Sequence, residues 1–194
     1  MNFIKNYLNL FSKTCDSFNL TKLNNLVNDI SKIKKNNGRI FFLGVGGSAG
    51  NCSHAVNDFR KLCEIECYSP ADNVSELTAR TNDEGWKTVF SGWLKISNLN
   101  KKDAIFIFSV GGGNKKKKVS ENLIEAIDYA LIKKAKIFSF VGREDGYAYK
   151  KSNISISLPT SAKNMITPFS ESFQVVLWHM LVSHPKLKRM QTKW

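Results

Sequence analysis

The sequence predicts a three-layer α/β/α sandwich built on a parallel β-sheet. Two observations support this class: short apolar runs alternate with segments of helical periodicity, and two of the runs end in glycine-rich turns. Short buried strands joined through helices imply right-handed crossovers and a sheet that is covered on both faces. At 194 residues the chain is long enough to bury a substantial core. We therefore expect one domain that spans residues 1–194.

A helical arm is predicted to precede the sheet, in residues 1–36. Apolar side chains recur there at helical spacing, and Asn36, Asn37 and Gly38 form a stop signal. The strand candidates that follow are Arg39–Leu43, Glu64–Tyr68, Ala104–Val110, Lys136–Val141 and Ile154–Leu158. The main helical candidates among and after them are Gly50–Leu62, Trp86–Ile96, Ser120–Ala135 and Pro168–Ser183.

The composition is that of a soluble globular protein. Apolar residues make up 42% of the chain and charged residues 23%, which excludes the disordered and membrane classes. No apolar run approaches the roughly 20 residues that span a bilayer, and the N-terminus lacks the apolar core of a signal peptide. We therefore expect a cytoplasmic protein without a membrane partner, whose four cysteines are reduced.

The formal net charge of +13 favours anionic partners. A phosphorylated metabolite and a nucleic acid both meet that condition. The basic segments lack the interleaved aromatic side chains of a base-stacking surface, so no nucleic-acid partner is expected. A solvated, lysine-rich surface is the alternative explanation of the charge.

Two glycine-rich turns, Gly44–Ser48 and Ser109–Asn114, follow predicted strands at one edge of the sheet. Glycine permits positive φ and lets backbone N–H groups approach an anion, although such turns also occur for steric reasons alone. A dinucleotide site needs one such loop and an acidic residue about 20 residues further on, so the pair predicts a compact phosphorylated ligand and no nucleotide cofactor. Ser120 is the expected N-cap of the helix after the second turn. The candidate ligand contacts here are Gly46, Gly47, Ser48, Ser109, Gly111, Gly112, Asn114 and Ser120.

Four residues are candidates for acid–base chemistry or for metal binding. His54 and Asp58 lie about one turn apart on the helix after the first glycine turn, so they share a face. Glu171 and His179 lie on the last predicted helix, about 12 Å apart along an ideal axis. The four groups can transfer protons, and they would suit zinc if both residues of the last helix lean inward. Surface pairing, a favourable helix dipole and core packing are the structural alternatives.

Read in order, these motifs resemble the phosphoheptose isomerases. The residues that carry the resemblance are Gly44–Ser48, His54–Asp58, Asn82 with Asp83, Ser109 with Ser120, and Glu171–His179. It implies a sugar-isomerase (SIS) sandwich of flavodoxin-like type and a homotetramer with active sites at subunit interfaces. The implied activity interconverts D-sedoheptulose 7-phosphate and D-glycero-D-manno-heptose 7-phosphate in heptose synthesis for lipopolysaccharide or capsule.

The resemblance also implies roles for individual residues. It makes Asp58 the base and His179 its acid partner, and it places Glu171 where the family has a glutamine. Asn82 and Asp83 are expected to contact the substrate, Asp83 through a sugar hydroxyl group. Some members of the family bind zinc at this site. The possible zinc ligands are His54, Asp58, Glu171 and His179.

Besides Glu171, the chain departs from the family at three further places. Asp58 stands where the family has a glutamate, one methylene longer, so Glu171 is the alternative base. Leu62 stands where the family has an arginine, and Arg60 and Lys61 are the possible substitutes, although neither is in register. The segment Gly111–Val119 is longer than the usual phosphate loop and contains four lysines, so some phosphate contacts are expected to come from lysine.

The expected reaction is proton transfer through an enediol. A carboxylate removes a proton from the carbon beside the carbonyl, and His179 protonates the carbonyl oxygen. Two alternatives remain within the same fold: an isomerase of another phosphosugar, and a non-catalytic SIS module that binds a sugar phosphate and regulates a partner.

Overall fold

Five parallel strands form the centre of the fold, within the residues 2–159 and 164–191 that the computed structural model describes. The strands are β1 (Ile40–Leu43), β2 (Cys67–Tyr68), β3 (Ala104–Ser109), β4 (Lys136–Val141) and β5 (Ile154–Ser157). The helices are α1 (Phe3–Asp16), α2 (Leu20–Lys35), α3 (Gly47–Cys63), α4 (Val74–Glu84), α5 (Val89–Ile96), α6 (Glu121–Ile132), α7 (Tyr147–Lys151) and α8 (Ile166–Ser183), with a 3-10 turn at Trp86–Thr88.

The strand order in the sheet is β2-β1-β3-β4-β5, and every neighbouring pair is parallel. This confirms the predicted α/β class and the parallel sheet. The chain runs from β1 outward to β2 and then returns to β3 on the other side of β1. Ligands of such sheets bind in the crevice beyond the carboxyl ends of the strands, where this reversal occurs. The two glycine-rich turns follow β1 and β3, so they flank that crevice.

Both faces of the sheet are covered by helices, as the apolar strands predict. The two faces are filled by alternate residues of the same strands, such as Phe42 and Phe106 on one side and Phe41 and Ile105 on the other. Helices α2, α3 and α8 cover the first face, and α5, α6 and α7 cover the second. The result is the predicted three-layer sandwich, in which α3 and α8 pack side by side, α3 against β1 and β3 and α8 against β3 and β4.

The predicted N-terminal arm consists of helices α1 and α2. Asn2 and Asn19 cap them, because each side-chain oxygen accepts a backbone N–H of the first turn. Phe11 of α1 stacks on Phe173 of α8 with ring centroids 4.3 Å apart. The arm is thereby fixed to the helix that carries His179. No described helix is both long enough and apolar enough to span a membrane.

Most predicted boundaries shift by one to three residues, the changes at β2 and α6 have a clear backbone cause, and helices α4 and α7 were not predicted. Strand β2 is shorter because Glu64 has a φ of 53° and ends helix α3 in the left-handed region. Helix α6 ends at Ile132 rather than Ala135, since Lys134 is also left-handed, at 58°. Helix α4 was not predicted, although the side chain of Asn73 caps it through bonds to two N–H groups. Its described residues are all at least partly exposed, so the apolar stripe that marks other helices is weak.

Three of the four cysteines are buried, and we expect native alkylation to modify Cys15 alone. Burial raises the pKa of the Cys52 and Cys67 thiols, and it raises that of Cys63 to about 11, so few thiolates are present at neutral pH. Cys15 is exposed. Intact mass after iodoacetamide treatment should show one adduct on the folded protein and four after urea. A second adduct without urea would contradict the burial of these thiols.

Candidate functional site

His54, Asp58 and His179 converge between helices α3 and α8. The Nε2 atoms of His54 and His179 lie 3.6 and 3.3 Å from Oδ2 of Asp58. One ligand atom from each residue lies within 4.8 Å of the others. His54 and Asp58 therefore lie on one face of α3, as their spacing predicts. His179 joins them from α8, although it stands 121 positions after Asp58 in the sequence.

Asp58 is the fixed member of this cluster. It is 8% exposed, and its carboxylate accepts hydrogen bonds from the indole N–H of Trp178 at 3.1 Å and from the Asn57 amide at 3.0 Å. Trp178 is fully buried and stacks on Phe108 of β3. Its contact with Asp58 joins α8 to α3, and the sequence analysis did not identify it. The adjacent pair Trp178–His179 was the sequence signal for this contact. Neighbouring residues of a helix point in different directions, so one can lie in the core while the other faces the site.

The two imidazoles are the accessible members. Their side chains are 56% exposed for His54 and 47% for His179, and their ring centroids lie 5.5 Å apart. The cluster therefore presents one buried carboxylate and two exposed imidazoles at the surface of the single chain. A small ligand can reach this group without any movement of the core.

The cluster fits a divalent metal ion. In a tetrahedral zinc site with bonds of about 2.0–2.1 Å, neighbouring ligand atoms lie about 3.3–3.4 Å apart. The separations from Asp58 to the two imidazole nitrogens, 3.3 and 3.6 Å, match this spacing. Two imidazoles and a carboxylate are ligands that zinc accepts, and three protein ligands leave one position open, as in catalytic sites. His54, Asp58 and His179 could therefore hold a metal.

Glu171, the fourth predicted metal ligand, lies outside this group of three. Its carboxylate lies against Gly47, where a Cβ would come within 2.6 Å of Oε1 and 2.7 Å of Oε2. The reason is the rigid helix: Glu171 and His179 stand about 12 Å apart along α8, and only one end of that span reaches Asp58. Glu171 instead faces the first turn of α3, where the helix dipole favours a negative charge.

The turn after β1 leads into helix α3 through the N-cap residue Gly46, which has φ 63° and ψ −130°. This backbone conformation is rare for residues that carry a Cβ. Ser48 follows and is nearly buried, whereas Gly46 and Gly47 are exposed. The Ser48 hydroxyl oxygen accepts a hydrogen bond from Nε2 of Gln174 at 3.0 Å. Gln174 is a further residue that the sequence analysis did not identify.

The turn after β3 is closed by its own backbone. The Ser109 hydroxyl accepts the N–H of Gly112 at 2.9 Å, and Asn114 pairs with Val119 in an antiparallel bridge. The four lysines form the exposed tip of this bridged loop. Ser120 does occupy the N-cap position of α6, but it is left-handed, with φ 51°, and its side chain makes no capping bond. The predicted position is therefore right, and the predicted hydroxyl cap is wrong.

Asn122, in the first turn of α6, carries a buried donor without an acceptor. Its Oδ1 accepts the N–H of Leu123 at 2.9 Å. Its Nδ2 is the one buried side-chain nitrogen or oxygen without a hydrogen-bond partner in the part of the chain that is described. An unsatisfied buried donor costs about 1–3 kcal/mol. Asn122 was not among the residues predicted from the sequence.

The lysine loop is anchored by its first residue. Lys115 donates to Asp128 of α6 at 2.8 Å and lies over the ring of Tyr147. These hydrogen bonds raise the pKa of Lys115 to about 12. Burial opposes ionisation of Asp128, but the bonds from Lys115 and Tyr147 lower its pKa below the usual value. Lys115 is therefore held as a cation beside α6.

Two other candidates lie apart from the cluster. Asn82 and Asp83 are exposed near the end of α4, where the Asn82 amide donates to Asp83 at 2.7 Å. Among residues 2–159 and 164–191, neither is hydrogen-bonded to the glycine turns or to the histidines. Arg60, a possible substitute for the absent family arginine, donates to the Cys67 carbonyl and lies over the Tyr68 ring. It lines a separate cleft of about 620 Å³ beside β2.

Proteins similar to this chain in sequence are known. No family model matches the chain. The lincomycin biosynthesis protein LmbN of Streptomyces lincolnensis is 30% identical over 154 residues, which cover 73% of this chain and 54% of that protein. The chain thus spans about half the length of LmbN. The phosphoheptose isomerase of Helicobacter pylori (strain P12) is 26% identical over 152 residues, which cover 76% of this chain and 73% of that enzyme.

Solved structures show the same fold. The phosphoheptose isomerase GmhA from Neisseria gonorrhoeae superposes with a TM-score of 0.79 and 20% sequence identity, over 92% of each chain. At that identity the likeness establishes the architecture. The sequence similarity to LmbN and to the Helicobacter pylori enzyme, together with the convergence of His54, Asp58 and His179, indicates the family to which this fold belongs.

Proposed function

Because this chain belongs to the SIS-domain family that includes the phosphoheptose isomerases, we propose that it interconverts D-sedoheptulose 7-phosphate and D-glycero-D-manno-heptose 7-phosphate. The single observation that carries the proposal is the convergence of Asp58 with His54 and His179 beside two glycine-rich turns. Such a heptose phosphate would serve the synthesis of lipopolysaccharide or capsule in the cytoplasm.

Asp58 is the base in the proposed mechanism. It removes the proton from the carbon beside the carbonyl, while His179 protonates the carbonyl oxygen to give the enediol. The C1 hydroxyl of the enediol then gives its proton back to His179, and Asp58 returns its proton to C2, the former carbonyl carbon, which gives the aldose and restores both side chains. The 3.3 Å contact between Asp58 and His179 supports this pairing, because one small substrate can reach both groups. Glu171, which faces Gly47, is placed to accept a sugar hydroxyl rather than to act as the base.

The phosphate is proposed to bind at the start of α6. Glu171 puts a negative charge beside the first turn of α3, which disfavours a phosphate there. The first turn of α6 instead offers free backbone N–H groups and the unsatisfied amide of Asn122. The exposed lysines Lys116–Lys118 add positive charge close by in sequence. Ser109, Gly111, Gly112, Asn114 and Ser120 complete the proposed phosphate site.

A metal ion held by the same three residues is an alternative to this acid–base pairing, because Nε2 of His179 cannot bind zinc and donate a proton at the same time. Zinc held by His54, Asp58 and His179 would polarise the carbonyl oxygen of the substrate. The residues fit that ion by type and by spacing. Metal analysis of protein purified without chelators measures its presence.

A homotetramer with interfacial sites is proposed as the working form. The exposed imidazoles need a second surface to exclude water from the reacting carbons. Large apolar side chains are exposed on α4, α5 and α6, including Val74, Ile96 and Ile132, and these favour association. In such an assembly Asn82 and Asp83 would complete a site from a neighbouring position.

The test is incubation of the protein with sedoheptulose 7-phosphate in D₂O, followed by NMR. We expect aldose phosphate to form and deuterium to appear at the carbon beside the carbonyl, because the enediol exchanges its proton. Fructose 6-phosphate and arabinose 5-phosphate serve as comparison substrates. Faster turnover of one of these would assign the site to another phosphosugar. Binding without conversion would instead support a regulatory SIS module.

A further inference from the structure

We infer that Gln174 is a positioning residue that fixes the direction of the Ser48 hydroxyl, so that Ser48 donates its proton to an oxygen of the bound phosphosugar. The inference rests on the proposed function, because it assumes that a phosphosugar binds at the turn after β1. It gives a role to the buried side-chain amide of Gln174, a residue that belongs to none of the sequence motifs described above. Three hydrogen bonds in series, from the backbone of Glu171 to the hydroxyl of Ser48, support it.

The series starts at a group that can only accept hydrogen bonds. The backbone carbonyl of Glu171 receives a hydrogen bond from the side-chain amide of Asn51 at 3.0 Å. A carbonyl oxygen has no proton to give, so the Asn51 atom that faces it must be Nδ2. The orientation of the Asn51 amide is thereby determined by chemistry.

The same Nδ2 of Asn51 also donates to Gln174 at 2.8 Å. The atom of Gln174 that receives this bond must therefore be its oxygen, Oε1. The other end of the amide, Nε2, then points to Ser48 and donates to its hydroxyl oxygen at 3.0 Å. A flip of either amide would place two donors or two acceptors face to face.

Ser48 is the last residue in this series of hydrogen bonds, and its hydroxyl proton is still available for a further bond. Its oxygen is occupied by an incoming bond from Gln174, and within the described residues no protein group accepts the Ser48 proton. Gln174 is 1% exposed and Ser48 is 2% exposed, so water has little access to the bond between them, whereas the exposed Gly46 and Gly47 beside Ser48 form the side from which a ligand would approach. A buried hydroxyl with a fixed acceptor side is oriented to donate to a ligand oxygen.

The network also links the two helices of the site. Asn51 and Ser48 belong to α3, whereas Glu171 and Gln174 belong to α8. The same pair of helices carries Asp58 and His179. Gln174 therefore acts through Ser48, at a distance from the reacting carbons.

The experiment compares Ser48→Ala, Gln174→Met and the double variant, using sedoheptulose 7-phosphate as the substrate. Methionine fills the space of glutamine and donates no hydrogen bond. We expect each single variant to raise KM roughly 10-fold, the effect of one lost hydrogen bond, with kcat changed less than about twofold. The double variant should be no worse than Ser48→Ala, because Gln174 acts through that hydroxyl.

A purely structural role would give a different result. It predicts a lower unfolding midpoint for Gln174→Met with an unchanged KM. Alternatively, it predicts that the KM increases of the two single variants multiply in the double variant. Ser139→Ala removes a buried hydroxyl bonded to Ser155 in the sheet, and it serves as a stability control whose KM should equal that of the wild type. Gln174→Glu, which would accept the Ser48 proton instead of donating, should raise KM at least as much as methionine.

The two levels of the proposal fail separately. A wild-type protein that neither binds nor converts any phosphosugar overturns the proposed function, and the role of Gln174 with it. A wild-type protein that converts sedoheptulose 7-phosphate, together with a Gln174→Met variant of unchanged KM, overturns the role of Gln174 alone.

Discussion

An Asp58→Asn variant is expected to isomerise sedoheptulose 7-phosphate about 10²–10⁴-fold more slowly than the wild type, the contribution typical of a positioned base. The amide has the shape of the carboxylate and can still accept the indole N–H of Trp178, so the helices should remain packed. The proposed phosphate site at the start of α6 is not altered. We therefore expect kcat and kcat/KM to fall together while KM stays near the wild-type value. Steady-state kinetics by NMR or coupled assay measures both.

The matched control is Asp29→Asn. Asp29 lies on α2 and pairs with Lys32 at 3.0 Å at the protein surface. This substitution removes the same charge without touching α3 or α8, so its kcat should equal that of the wild type. An Asp58→Asn protein that retains wild-type kcat would exclude Asp58 as the base. Activity lost equally in both variants would point to net charge instead.

An Asp103→Ala variant is expected to lose about 3–5 kcal/mol of unfolding free energy, the cost of breaking a buried ion pair. Asp103 is 1% exposed and accepts bonds from Nη2 of Arg39 at 2.8 Å, from Nε at 3.2 Å and from the Arg39 backbone N–H at 2.9 Å. It also receives two bonds from Asn100. Its hydrogen bond to Arg39 raises the pKa of that guanidinium, so an uncompensated cation remains after substitution.

Urea unfolding measures this loss, and Asp145→Ala is the matched control. Asp145 receives an equally short bond, 2.8 Å, from Arg143, but both side chains are more than half exposed. Solvent screens that pair, so its unfolding midpoint should barely change. Asp103 also precedes β3, at the edge of the sheet opposite to the site, so kcat at low temperature should be retained. Equal destabilisation by both variants would show that burial is not the cause.

The glycine turns show how far the sequence alone determines the site. Strands that are apolar throughout are compatible only with a sheet buried on both faces, and parallel strands bring Gly44–Ser48 and Ser109–Asn114 to one edge. The spacing of His54 and Asp58 likewise requires a shared helical face. These relations are local or topological, so they were predictable. The extra helix α4 was not, since its exposed residues carry little periodic signal.

The tertiary structure decided which partners these residues meet. Helix α8 docks on α3 in one register, and that register brings His179 to Asp58 while leaving Glu171 at Gly47. The contacts of Trp178 with Asp58 and of Gln174 with Ser48 join residues 120 and 126 positions apart. Periodicity indicates which face of a helix is buried, but not which donor meets which acceptor across the interface. That choice depends on side-chain packing between the two helices, and so the sequence determined the fold and the candidates, whereas the packing of α8 on α3 selected the site.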